Sequence, residues 1–207
     1  MYMTRVVLKR VPPANIIHGV LSAAFPGKRS DKTNENLWRV DNFGDNSALL
    51  IVSVKTPELS HIVKEIGVGD ERNKTLDYVP FLERIECGHV WNFRLCANPV
   101  EHKKKDSSDK RGKVYALRSS TEQIEWIKKQ CEKYGFNVKG CSIIGDEWKI
   151  LKPDKNNGKN TVSIRAVTFE GVLVVTDADI FREALTRGIG RGKAYGCGLL
   201  TIAGVQT

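Results

Sequence analysis

The chain has 207 residues, with 33 basic and 24 acidic side chains, a formal net charge of +9, 41% hydrophobic and 8% aromatic residues. This apolar content supports a packed core and excludes a disordered chain; the length suits one large domain or two of about 100 residues each. The basic excess points to nucleic acid or an anionic surface, and the longest apolar runs, such as ALLIVSV at 48–54, are strand-sized and far short of a membrane span.

Residues 2–11, YMTRVVLKRV, alternate with period two and are rich in β-branched side chains, which predicts a strand stopped by Pro12-Pro13. ANIIHGVLSAAFPGK reads as a short helix with Ile17, Val20, Leu21 and Ala24 on one side and Pro26-Gly27 as terminator. NLWRVDNF (36–43) and SALLIVSV (47–54) predict a hairpin around Gly44-Asp45-Asn46, and PELSHIVKEIG a second helix. A strand-rich stretch from Tyr78 ends at Pro99, giving the order βαββαβ of a ferredoxin-like unit over residues 1–98.

EHKKKDSSDKRGK (101–113) reads as a solvated basic loop within a joint at 99–117. Beyond it Ser120 and Gln123 fit a capping box, and an amphipathic helix follows, ended by Gly135. NVKGCSII and EWKIL are strand-like, KPDKNNGKN is a hairpin tip with good turn chemistry, and TVSIRAVTFEGVLVVTD returns to a helix at 178–187. A glycine-rich loop and GLLTIA close the chain. The fold class expected is α+β, two tandem ferredoxin-like domains of the RRM-like kind, the second over 118–207; the duplication rests on element order, with no repeat visible in the sequence itself.

The loop GIGRGKAYGCGLL (188–200) holds Gly188, Gly190, Gly192, Gly196 and Gly198 with the cations Arg191 and Lys193. Its spacing is GxGxG after a helix, so it is not the dinucleotide fingerprint that opens one, and Ala194 stands where a P-loop needs Ser or Thr. The N-terminal MYMTRVVLKR has no apolar core of a signal peptide. Cys87, Cys96, Cys131, Cys141 and Cys197 form no CxxC pair and read as reduced, buried cytosolic thiols; Cys197 fits as a small residue in a crowded loop. His18, His61, His89 and His102 show no ligand spacing, so neither a metal site nor a cofactor is expected. Trp38, Trp91, Trp126 and Trp148 read as core residues.

FRLCANPV followed by a basic loop, TFEGVLVVTDADIF, the C-terminal GIGRGKAYGCGLL, the start MYMTRVVL and His18 seven residues before Phe25-Pro26 together resemble the CasE family of CRISPR RNA-processing endoribonucleases, type I-E enzymes of the RAMP superfamily. The resemblance runs nearly end to end and is weakest at 30–90. It implies two ferredoxin-like domains gripping the RNA hairpin of a CRISPR repeat, and metal-independent cleavage at the 3′ base of the stem to a 2′,3′-cyclic phosphate and a 5′-hydroxyl. It further implies a prokaryotic cytoplasmic setting with Cascade subunits as partners, and puts the glycine-rich loop at the domain junction with its backbone near RNA phosphates. The competing reading is a non-catalytic RAMP subunit that holds RNA.

By the resemblance the essential histidine is His18, suited to proton transfer because its ordinary pKa of about 6.5 lies near working pH. Where some family members carry a tyrosine three residues earlier, this chain has Asn15, which can hydrogen-bond but cannot act as acid or base. Asn15, His18 and Ser22 share one helical face, so Asn15 is expected to orient the 2′-hydroxyl and Ser22 to be a surface hydroxyl. Lys28 or Arg29 is a candidate for phosphorane stabilisation. Phosphate binding is expected from two basic sets: Lys103, Lys104, Lys105, Lys110, Arg111 and Lys113, and Lys152, Lys155, Lys159 and Arg165. Any single lysine of these reads equally as solvated surface.

Overall fold

The computed structural model describes residues 1–25, 36–44, 46–103, 113–151 and 162–205. In its first unit, strand β1 (Tyr2–Leu8) leads through helix α1 (Ala14–Ala24) to β2 (Leu37–Phe43) and β3 (Asn46–Ser53), then through α2 (Leu59–Ile66) to β4 (Lys74–Asp77). The sheet is antiparallel in the order β2-β3-β1-β4, with Val6 opposite Leu49 and Thr4 opposite Thr75. Read by position, that is 4-1-3-2 from the far edge, the ferredoxin-like order.

A short helix α3 (Val79–Glu83) then leads to β5 (Val90–Ala97), and a two-stranded ribbon follows, β6 (Val100–Lys103) with β7 (Lys113–Ala116). The chain continues through α4 (Ser120–Lys133), the long strands β8 (Phe136–Leu151) and β9 (Val162–Val175), α5 (Ala178–Arg187) and β10 (Leu200–Gly204). The second sheet has the order β10-β5-β9-β8, again 4-1-3-2 when β5 is counted as its first strand.

This redraws the expected boundary at 98. Alternation identifies 90–97 as a strand but carries no information about its partners, and Phe93 pairs with Gly171 of β9 and Ile202 of β10. The first unit therefore closes with β4, and the basic joint is an insertion between the first strand and first helix of the second unit. NVKGCSII and EWKIL are one strand, β8, with irregularities at Val138/Gly140 and Ile143/Gly145 that bend it without breaking its pairing to β9. The capping box lies one residue earlier than expected. Ser119 Oγ accepts from Glu122 N at 3.2 Å and Ser119 N donates to Glu122 Oε2 at 3.1 Å.

Alternation along β2 feeds two cores. Trp38 faces α1 and α2 with Ile17, Leu21, Leu49 and Ile62, while Leu37 faces the second unit among Phe93, Trp126, Phe169 and Leu185. A buried clamp fixes the units together. Arg39 of β2, 3% exposed, holds Asp41 through two bonds of 2.6 and 2.7 Å. It also reaches into the second sheet, donating to the carbonyls of Arg94 (2.9 Å) and Leu199 (2.8 Å) and to Thr201 Oγ1 (2.7 Å). Planar guanidinium geometry suits this fork. Arg94 in turn pairs with Asp41 at 3.5 Å and with Glu170.

Candidate nucleic-acid interface

Helix α1 starts without a side-chain cap. Pro13 sets the entry, and its carbonyl accepts from Ile16 N at 3.0 Å and Ile17 N at 3.2 Å. Burial of Ile17, Leu21 and Ala24 turns the opposite sector outward, so Asn15, His18 and Ser22 are all exposed. Ser22 donates its hydroxyl back to the His18 carbonyl at 2.8 Å, which occupies that proton within the helix. Asn15 lines a groove of about 350 Å³ between the start of α1, the outer part of β2 and β8. The opposite wall carries Glu147 and Lys149, and the floor is Trp38 with Asn42. Lys149, partly buried, lies 3.6 Å from Glu147 and donates to the Tyr195 carbonyl at 3.4 Å. It and Asn15 line the same groove. Sequence reasoning missed it, because a lone lysine on an alternating strand has no distinguishing pattern.

The glycine-rich loop contacts the same region. After α5 it forms a single 3-10 turn, Lys193–Tyr195, that packs on α1 and β2. Gly188 (φ +74°) and Gly196 (φ +80°) have left-handed backbone, and a Cβ at either would lie 2.6 Å from Leu37 Cδ2 or 2.7 Å from Trp38 Cζ3. Their lack of side chain is thus explained by docking on β2, at the junction between the units. Arg191 is exposed, and Lys193 is partly covered, its stem running against Gly198. Ile189 N donates to Gly198 O at 2.9 Å, closing the loop on itself.

Of the two basic sets, Lys113 is exposed at the first position of β7, and Lys103 ends β6. Lys28, Arg29, Lys104, Lys105, Lys110, Arg111, Lys152, Lys155 and Lys159 lie outside the described residues. Arg165, on β9, is held within the protein. Its guanidinium is spent on Asp146, with Nε and Nη2 each 2.6 Å from a carboxylate oxygen, and on the Arg118 carbonyl at 3.3 Å. Arg165 first, then Gln123, holds the Asp146 carboxyl below its ordinary range. Arg165 also stacks on Trp148 at 5.6 Å, and Trp148 is 47% exposed, so this tryptophan is not core. Trp38 and Trp126 are buried as expected, and Trp91 is half-buried.

Cys96, Cys131 and Cys197 are buried, Cys141 is partly so and Cys87 is exposed, against the expectation for that residue. Cys197, against Gly192 in the loop, donates to Cys96 of β5; this bond, aided by the charge of Lys149, draws the Cys96 thiol below its usual range. Among the described residues no three His, Cys, Asp or Glu side chains gather as metal ligands, and no helix is long and apolar enough to cross a membrane.

A family model described as CRISPR associated protein matches residues 1–204. The chain is 33% identical over 197 residues to the CRISPR-associated endoribonuclease Cse3 of Thermus thermophilus, covering 90% of this chain and 88% of that relative. It is 28% identical over 214 residues to the Cascade subunit CasE of Escherichia coli, covering 98% and 99% respectively. Its fold superposes on Cse3 bound to a 19-nucleotide RNA with a TM-score of 0.77 at 25% identity, over 98% of this chain and all of that one.

Proposed function

The chain belongs to the CasE and Cse3 family of CRISPR-associated proteins, and we propose on that footing that it is a CRISPR RNA-processing endoribonuclease. It binds the hairpin of a CRISPR repeat and cuts at the 3′ base of the stem without a metal ion. The 2′-hydroxyl of the nucleotide before the scissile bond loses its proton as its oxygen bonds to phosphorus. The phosphorus–O5′ bond breaks, and O5′ gains a proton, leaving a 2′,3′-cyclic phosphate and a 5′-hydroxyl. The processed guide stays bound and enters a Cascade-type assembly within a prokaryotic cytoplasm; the Escherichia coli relative is named a Cascade subunit.

The observation that carries this reading is the exposed face of α1 with His18 and Asn15, and the groove beside Asn15 whose far wall holds Lys149. His18 transfers a proton at the reacting centre. Asn15 orients the 2′-hydroxyl, the part a hydrogen-bonding but non-titrating side chain can play. Lys149 supplies positive charge toward the phosphorane, the role that sequence reading gave to Lys28 or Arg29. Phosphates of the stem run along Arg191, Lys193 and the lysines of 103–113 and 152–159, where released counterions drive binding.

The test is incubation of the protein with repeat RNA of its source genome, with and without EDTA, and analysis of the product ends. Cyclic phosphate ends formed equally in chelator, and no cutting when the scissile nucleotide is 2′-deoxy, support the mechanism. Chelator-sensitive cutting or cleavage of the 2′-deoxy substrate means that metal or water does the work, and binding without cleavage leaves the RNA-holding subunit.

A further inference from the structure

Trp148 is an exposed aromatic side chain of the second sheet. A large aromatic face left in water gains free energy when a flat partner covers it, and Trp148 is 47% exposed while Tyr115 is 44% exposed. Both line a concave site of about 370 Å³ between the β6–β7 ribbon, the start of α4 and β8, within the size range of small-ligand pockets. The indole is not loose. Arg165 lies over its ring at 5.6 Å and is itself fixed by the two bonds to Asp146 and the bond to the Arg118 carbonyl. The ring is held in place before any ligand arrives, which lowers the ordering cost of binding to it.

The lining decides what the ligand is. Arg165, which backs the indole, has its charge neutralised by Asp146, and the lining carries Arg118 together with Glu101 and with Glu122 of the helix cap, so the described lining gathers no group of cations for a phosphate. Two aromatic faces on a concave wall suit stacking of a planar ring, and every nucleobase presents such a face. The lysine-rich segments adjoin the site in sequence, since β7 opens at Lys113, two residues before Tyr115, and Lys152 follows Trp148 by four.

We propose that Trp148 and Tyr115 form a stacking platform for one unpaired nucleobase flanking the RNA stem, separate from the groove at α1. This rests on the RNA-processing reading above and adds a second point at which the RNA is read. β8 divides the two places: Glu147 and Lys149 face the groove of Asn15, and Trp148 between them faces the platform. The strand thus couples the position of a flanking base to the wall opposite α1.

The experiment measures binding of two RNAs, the repeat hairpin with its single-stranded flanks and the same hairpin trimmed to its stem and loop, to wild-type, Trp148→Ala, Trp148→Phe and Tyr115→Ala proteins. Trp148→Ala should weaken the flanked RNA roughly 5- to 150-fold, the range for loss of one stacked base, and leave the trimmed RNA within about twofold. Trp148→Phe should restore most of the affinity but lose the quenching of tryptophan fluorescence that the flanked RNA causes in wild type. Equal affinities for all variants, or an equal loss on both RNAs, overturns the platform while the RNA-processing reading stands. If wild type binds neither RNA, that reading falls and takes the platform with it.

Discussion

Replacing Arg39 with Ala removes the clamp between the two sheets. Five hydrogen bonds go at once: two to Asp41, two to the Arg94 and Leu199 carbonyls and one to Thr201. Asp41, 6% exposed, is left buried with Arg94 at 3.5 Å as its remaining ion-pair partner. Breaking a buried pair from one side costs about 3–5 kcal/mol, and the rescue by Arg94 puts this case near 3. With a urea slope of about 3 kcal/mol per molar, the unfolding midpoint should fall by about 1 M with little change in slope. One transition is expected, because a single apolar cluster runs from Leu37 and Val52 of the first sheet to Phe169 and Leu185 of the second unit. The double replacement Arg39→Met with Asp41→Leu should recover much of the loss, since apolar side chains of similar volume substitute well for a buried ion pair. A single-variant loss below about 1 kcal/mol, or a double variant worse than the single, would refute the reasoning.

Three further outcomes follow from the same geometry. Gly196→Ala forces a Cβ toward Trp38 at a left-handed position and should cost at least about 1–3 kcal/mol of stability in urea unfolding; an unchanged midpoint contradicts docking of the loop on β2. Lys149→Met should slow single-turnover cleavage roughly 100-fold while hairpin affinity stays within about threefold, and an unchanged rate removes Lys149 from the reacting centre. Because Arg165 holds the Asp146 carboxyl low in the folded state, this group stabilises above the ordinary carboxylate range and loses that contribution as pH falls through its folded value. Asp146→Asn should therefore flatten part of the acid limb of the stability–pH profile, and identical limbs would contradict the pairing.

Element order was legible because helical and alternating periodicities are local. The partners of β5 were not, since a strand pattern is the same whichever sheet accepts it, and the expected boundary at 98 falls about twenty residues beyond the end of β4. The capping box slipped by one because Ser119-x-x-Glu122 and Ser120-x-x-Gln123 both fit the motif, and only the reciprocal bonds choose between them. Trp148 looked like core because β8 and β9 give no sign in sequence of where they pass beyond the helices that cover them. The exposed face of α1 was readable from its spacing. Lys149 was not, as its meaning comes from the helix across the groove.

The central claim is that the imidazole on α1 performs proton transfer and does not hold RNA. Its most direct test is single-turnover cleavage of the repeat hairpin by His18→Ala, with hairpin affinity measured on the same preparation. Loss of cleavage with affinity within a few-fold of wild type is the expected result. A variant that still cuts at the wild-type rate, or one that fails only because it no longer binds, would contradict it.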